Sequence, residues 1–413
     1  MADSVYPRGV QPALQEALGD TPVVALLGPR QSGKSTLAES LTPARTYITL
    51  DDEQTLRAAQ DDPASFVAGL SGRVTIDEVQ RAPGLMLAIK AAVDRDRKPG
   101  RFLLTGSADL LLLPKVGDSL AGRIEFVHLH PLAESEKERK PGGLLKAFLD
   151  RKLATRIAAS APPPVKEIGE RVVRGGYPAS LTRSAERARQ WHRQYLLSVL
   201  ERDVADVARV RGTAELHKLV ELFALRTANL LNVSGLSADI GIRRETVEQY
   251  LLVLERLFLV RRLPAWHRNE SKRLVKTPKV HLVDSGLSAT LAGLDASDWT
   301  THRDRFGHLL ESFAVQQLVA QAGWTDPDLR FWHYRDKDQV EVDLVITRGR
   351  NTWGVEVKAA ASVTTSVGQG LRRLADQCGK DFQGGMILYA GLNTVTTGDE
   401  RILAVPLTEL WER

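Results

Sequence analysis

One stretch of eight residues limits what this chain can be more than any other. Gly28-Pro29-Arg30-Gln31-Ser32-Gly33-Lys34-Ser35 spaces two glycines five apart and follows the second with a lysine and a hydroxyl. Val23 to Leu27 before it is wholly apolar, and a helical stretch opens at Lys34. A strand that passes through a glycine turn into a helix is the setting in which this spacing cradles phosphate. Glycines let the backbone amides turn inward, and the helix N-terminus adds partial positive charge. Lys34 is placed to reach the outer phosphates and Ser35 to ligate Mg²⁺, with Thr36 the last of the loop's nucleotide-binding residues.

The segments around this loop predict an α/β fold. Short apolar runs at Tyr47–Leu50, Val74–Ile76 and Phe102–Thr105 are separated by helical stretches. That alternation calls for a parallel sheet with helices on its faces. The Val74 run ends in Asp77-Glu78, about forty residues past the loop. Asp77 is positioned to hold Mg²⁺ through its water shell and Glu78 to polarise an attacking water. Thr105 ends the next strand, where a polar group can contact that water or the γ-phosphate. Arg123 is either an arginine finger for a neighbouring copy, which would require a homo-oligomer, or an ordinary surface arginine.

Taken in order, GPRQSGKST, TIDEVQRAP, FLLTGS and SLAGR resemble bacterial and archaeal AAA-superfamily ATPases that carry a C-terminal domain of unknown function. RGGYPASL, YLLSVLERDV and PKVHLVDSGL extend the resemblance over nearly the whole chain. It implies ATP with Mg²⁺ as cofactors, held by Gly28, Gly33, Lys34, Ser35, Asp77 and Glu78. This loop has Lys-Ser-Thr where Lys-Thr-Thr is common in such proteins, and serine ligates Mg²⁺ equally well.

Asn232 to Tyr250 reads as two short helices with Gly241 at the turn. The second helix has one apolar stripe, through Val247, Tyr250, Leu251, Leu254 and Phe258. Its free face carries Arg243, Arg244 and Gln249, positions that reach base edges in DNA-binding versions of this motif. Arg261 to Lys279 then holds seven basic residues, among them Arg268, Lys272 and Arg273, against the single acid Glu270. A winged helix with phosphate-contacting bases has this pattern, which makes nucleic acid, in particular DNA, the expected partner. The bland alternatives are a winged helix used for protein contacts and a solvated basic loop.

Near the C-terminus, Gly349-Arg350 can form a two-residue turn with glycine first. The hairpin would then oppose Asp343 to Glu356 and Glu341 to Lys358. Two carboxylates facing each other weaken a strand pair unless a cation sits between them. Asp343 followed by Glu356-x-Lys358 resembles the restriction-endonuclease-like core, which implies a metal held by the carboxylates and a lysine that orients water. Glu311 is the helical glutamate that would complete the set. The rival reading is a charged surface hairpin or an inactive nuclease fold.

These features predict an ATPase domain over 1–140, helical connections over 141–213, a winged-helix-like segment over 214–285 and a nuclease-like domain over 286–413. The functional expectation is an Mg²⁺-dependent ATP hydrolase acting on nucleic acid. Its rival is a nucleotide-dependent switch or scaffold. With one cysteine, Cys378, no internal disulfide or four-cysteine zinc site can form. No apolar run reaches the roughly 18 residues of a membrane helix, and the N-terminus lacks the apolar core of a secretory signal. The expected location is the cytoplasm. The net charge of +5 is modest, but the run from Arg261 to Lys279 alone carries +6.

Overall fold

The computed structural model describes residues 5–108, 120–158, 161–204, 212–269, 276–364 and 367–413. Five strands, β1 (Val23–Leu27), β2 (Thr46–Thr49), β3 (Val74–Asp77), β4 (Phe102–Gly106) and β5 (Ile124–His128), form a sheet of order β2-β3-β4-β1-β5. Every pairing in it is parallel. β1 explains why its sequence is apolar throughout. Val23, Ala25 and Leu27 enter one core while Val24 and Leu26 enter a second on the opposite face. A parallel strand covered by helices on both sides has no polar face to keep.

The middle of the chain is helical. Helix Val233–Ile240 is capped by the Asn232 side chain and ends at Gly241, whose φ is +79°. Helix Arg244–Arg256 packs against it. Three short strands, β6 (Asn229–Leu230), β7 (Val260–Leu263) and β8 (Lys279–Leu282), form a small antiparallel sheet of order β6-β8-β7.

The last third holds a six-stranded mixed sheet, built from β9 (Arg330–Arg335), β10 (Glu341–Arg348), β11 (Asn351–Lys358), β12 (Phe382–Tyr389), β13 (Val395–Thr396) and β14 (Ile402–Pro406). Its order is β13-β14-β12-β11-β10-β9. β11 and β12 are parallel, joined across one face by helix Gln369–Cys378. That helix buries Leu371, Leu374, Ala375 and Cys378, one face at helical spacing. The opposite face meets the long helix Arg303–Thr325. One hydrophobic cluster runs from Leu144 to Trp411, so the helical middle and the last sheet share a core.

Among the described residues, no helix is long and apolar enough to cross a membrane.

Candidate nucleotide and carboxylate sites

The glycine loop leaves the C-terminal end of β1. A side chain at Gly28 would overlap the Leu129 carbonyl oxygen, so the loop fits only with glycine there. Gly33 has a φ of +100°, where only glycine is at ease. Gln31 and Glu78 also hold positive φ, 59° and 56°, a strain that concentrates at functional sites. The Lys34 ammonium is buried and donates to the Gly28 and Pro29 carbonyls, 3.0 Å each. The Ser32 hydroxyl is fully buried, with no hydrogen-bond partner among the described residues. Arg8 braces the loop from outside, donating to the Ser32 carbonyl at 2.7 Å and to Glu136 at 3.1 Å. A cavity of about 650 Å³ opens beside it, with Ser32, Gly33 and Thr36 on one wall and Tyr6, Pro178 and Arg183 on the other.

β4 lies between β1 and β3, so the ends of three strands converge on Asp77. Its carboxylate accepts from the Ser35 hydroxyl at 3.2 Å, from the Tyr47 hydroxyl at 2.5 Å and from the Thr105 hydroxyl at close range. Burial and the hydrogen bond to Asp77 push the Tyr47 phenol above its usual range. Thr105, expected near the attacking water or γ-phosphate, is fully buried and donates to Asp77. Ser107, two residues further on, contacts Glu78. Its hydroxyl donates to Glu78 at 2.9 Å and its amide at 3.3 Å, with the Gln80 amide nitrogen on the same oxygen. Ser107 belongs to the polar end of the strand that the sequence pointed to, whereas Tyr47 was not singled out, because the strand order that brings it to Asp77 leaves no local signal.

Arg123 precedes β5, at the opposite end of the sheet from the loop. Its carbonyl accepts from the Val23 amide, and its guanidinium is paired with Asp94 at 2.6 Å. It has no part in its own chain's site, because the parallel strands carry the loop to their other end.

The C-terminal carboxylates do converge. The hairpin turns at Gly349, φ +57°, with Arg348 opposite Asn351 as expected. The ladder ends at Leu344–Val355, one pair short of Asp343 and Glu356. Asp343 accepts the Val357 amide at 2.8 Å, and Glu356 accepts the Leu371 amide at 3.2 Å, at the start of helix Gln369–Cys378. Lys358 lies 3.4 Å from Glu356.

The expected metal set of Glu311, Asp343 and Glu356 requires correction. Among the described residues, no group of three or more His, Cys, Asp or Glu side chains is arranged to hold a metal ion. A different cation lies among the acids. The Lys279 ammonium, on β8, is 2.7 Å from Glu311, 3.6 Å from Glu341 and 3.7 Å from Asp343. Glu341 has a second partner in Arg335 at 2.6 Å. Burial, with Asp343 beside it, pushes the Glu311 carboxyl up to about 8. Burial alone would lower the Lys279 ammonium, but Glu311, Asp343 and Glu341 outweigh it and push it up. Asp343 and Glu341 push both groups the same way, while burial raises Glu311 and opposes the rise of Lys279. Acids outnumber bases in a buried space, so the group retains protons.

Lys279 also changes the reading of the basic run that it ends. It is buried, and Arg262 is paired with Glu255 at 2.6 Å, so neither lends its charge to an open surface. Arg268 is exposed. Lys272 and Arg273 lie outside the described residues. Arg243, Arg244 and Gln249 are all exposed on helix Arg244–Arg256 or at its N-cap.

The sheet, loop and Asp77 cluster define an AAA-like P-loop ATPase domain, a fold that implies a nucleotide and usually Mg²⁺. Residues 20–137 match an AAA domain family, 165–298 a domain of unknown function (DUF8612) and 306–410 another (DUF4143). The uncharacterized protein Rv2008c of Mycobacterium tuberculosis is 31% identical over 367 residues, 88% of this chain and 76% of its own length. Mb2031c of Mycobacterium bovis matches to the same extent. The Walker-type ATPase paby2304 of Pyrococcus abyssi is a solved structure similar to this one, at 16% identity and a TM-score of 0.39, covering 70% of this chain and 97% of that one. The chain belongs to the family of these mycobacterial proteins, and it combines an AAA-like ATPase domain with a C-terminal domain of unknown function.

Proposed function

We propose that the chain is an Mg²⁺-dependent ATP hydrolase that acts on nucleic acid, with a nuclease-like centre at its C-terminus. The observation that carries the first part is Ser35 and Asp77 joined by a hydrogen bond beside a buried Lys34. The orphaned Ser32 hydroxyl and the glycine cradle also fit a phosphate group. Gly28 to Ser32 would surround the phosphates with backbone amides. Lys34 would exchange its two carbonyl partners for phosphate oxygens, and Ser35 with Asp77 would hold the ion. When bound, Mg²⁺ neutralises charge on the outer phosphates. Tyr47 and Thr105 orient Asp77, while Ser107 and Gln80 restrain Glu78, the general base. The cavity beside the loop has room for a sugar and base.

The nucleic-acid part rests on the exposed Arg243 and Arg244 at the start of the second helix of a winged-helix-like unit. DNA is the favoured partner. For the C-terminal centre, a second reading is favoured by a specific observation. Lys279 among the carboxylates supports an inactive, nuclease-like domain serving a nucleotide-dependent switch or scaffold. Incubating the protein with several DNA and RNA forms and Mg²⁺ or Mn²⁺ separates the two. Cuts that disappear in Asp343→Asn support a nuclease, and intact substrate supports the switch.

A further inference from the structure

The acids of the C-terminal centre and the base that neutralises them come from different parts of the chain. Glu311, Glu341 and Asp343 lie on or next to the segment that builds the last sheet. Lys279 comes from β8, in the small sheet of the middle region. Lys279 is 3% exposed, and its ammonium lies within 3.7 Å of all three carboxylates. A buried ammonium loses its hydration and is stable only where carboxylates replace it. The same carboxylates are the oxygen ligands that a divalent ion would require. One space cannot hold both cations.

We propose that Lys279 is the resident counter-cation of this centre, so that no divalent ion enters while its ammonium lies among the carboxylates. The proposal rests on the nuclease-like reading of the fold, but not on cleavage. Other groups around the space fit a closed state. Asp343 and Glu356 each spend an oxygen on a backbone amide, and Arg335 holds Glu341 from the opposite side. His308, one turn before Glu311 on the same helix, is held below its usual pKa by burial and then by Lys279, so it adds no second cation. The centre is therefore complete without a metal, and it closes the contact between the middle region and the last sheet.

The test is Mn²⁺ binding by electron paramagnetic resonance on the full chain without nucleotide, together with thermal unfolding. In the wild type, Asp343→Asn should leave Mn²⁺ binding unchanged, because the intact centre takes no ion. Lys279→Met should gain at least about tenfold in Mn²⁺ affinity, and adding Asp343→Asn should abolish the gain. Its unfolding midpoint should fall without metal and recover with Mn²⁺, as linkage requires of a ligand bound only by the folded state. Lys279→Arg, which keeps the charge, should behave like the wild type. Wild-type binding that depends on Asp343 would overturn the proposal while leaving the nuclease-like reading intact. Equal Mn²⁺ affinity in the wild type and Lys279→Met would also overturn it. The wild-type comparison with Asp343→Asn decides the matter even if Lys279→Met does not fold. A gain of Mn²⁺ without cleavage would support the counter-cation and remove the nuclease.

Discussion

The Tyr47 hydroxyl donates to the Asp77 carboxylate over 2.5 Å, from the strand beside the one that Asp77 ends. A phenol on the carboxylate nearest the phosphate loop fixes that acid's direction before any ligand arrives. Tyr47→Phe keeps the ring and removes the donor. A hydrogen bond to a charged group contributes about 1.5–3 kcal/mol, so urea unfolding should register a loss of that order. The Mg²⁺ concentration for half-maximal ATP hydrolysis should rise in the same variant. An unchanged Mg²⁺ dependence would mean that Asp77 is held well enough by Ser35 and Thr105.

Lys34→Ala removes the buried ammonium from the loop. Loss of one preorganised electrostatic group commonly costs about 10²–10³-fold in turnover, and a loss of at least that size is expected in steady-state ATP hydrolysis. Turnover equal to wild type would sink the phosphate-loop assignment.

Glu78 predicts a separation of binding from chemistry. Glu78→Gln keeps the shape and the Ser107 contact but cannot accept a proton. Equilibrium binding of a fluorescent ATP analogue should stay within about threefold of wild type, while hydrolysis falls by about 10²–10⁴, the usual contribution of a general base. Weakened binding in step with hydrolysis would assign Glu78 a structural role instead.

Glu311 predicts how stability depends on pH. Its folded-state pKa is raised to about 8, far above an unfolded glutamate near about 4.3. The folded chain therefore binds the extra proton between these values. Its contribution is complete below the lower value and is lost as pH rises toward 8. Denaturation of the wild type should show stability falling across this window by at most about 1.4 kcal/mol per pH unit from this group. Glu311→Gln, always neutral, should flatten the slope. A variant that keeps the full slope would assign the dependence to other groups.

For nucleic acid, Arg243→Glu with Arg244→Glu should weaken DNA binding and make its salt dependence shallower. Each phosphate contact contributes about 0.9 to the slope of log affinity against log salt. Two lost contacts should therefore reduce it by about 2 in a fluorescence anisotropy series. An unaltered slope would move the binding surface elsewhere.

What could be read in the sequence was local. The glycine loop, the Asp77-Glu78 pair, the Gly241 turn and the Gly349 hairpin each depend on neighbours a few residues apart. The hairpin register was also legible, because a two-residue turn fixes it. The backbone partners of Asp343 and Glu356 were not, since they are the amide of Val357 and that of Leu371 in the helix that begins at Gln369. Lys279 was misleading. In a run of bases it looked like surface charge, and only the packing of β8 against helix Arg303–Thr325 turns it toward Glu311. Tyr47 and Arg8 depend on strand order and chain crossing, which composition and periodicity do not encode.

The helix Arg303–Thr325 carries Glu311, and further along it the side chains grip the first domain's exit. Gln317 accepts the Glu134 amide at 2.7 Å, Gln321 accepts the Leu145 amide at 2.9 Å, and the Trp324 indole donates to the Gly142 carbonyl at 3.3 Å. From Glu311 to Trp324 is about 20 Å at the helical rise. The family segment that starts at residue 306 is therefore not a detachable cassette. Its first helix is a beam fixed at both ends, and grafting that segment onto another ATPase would leave one end without a footing.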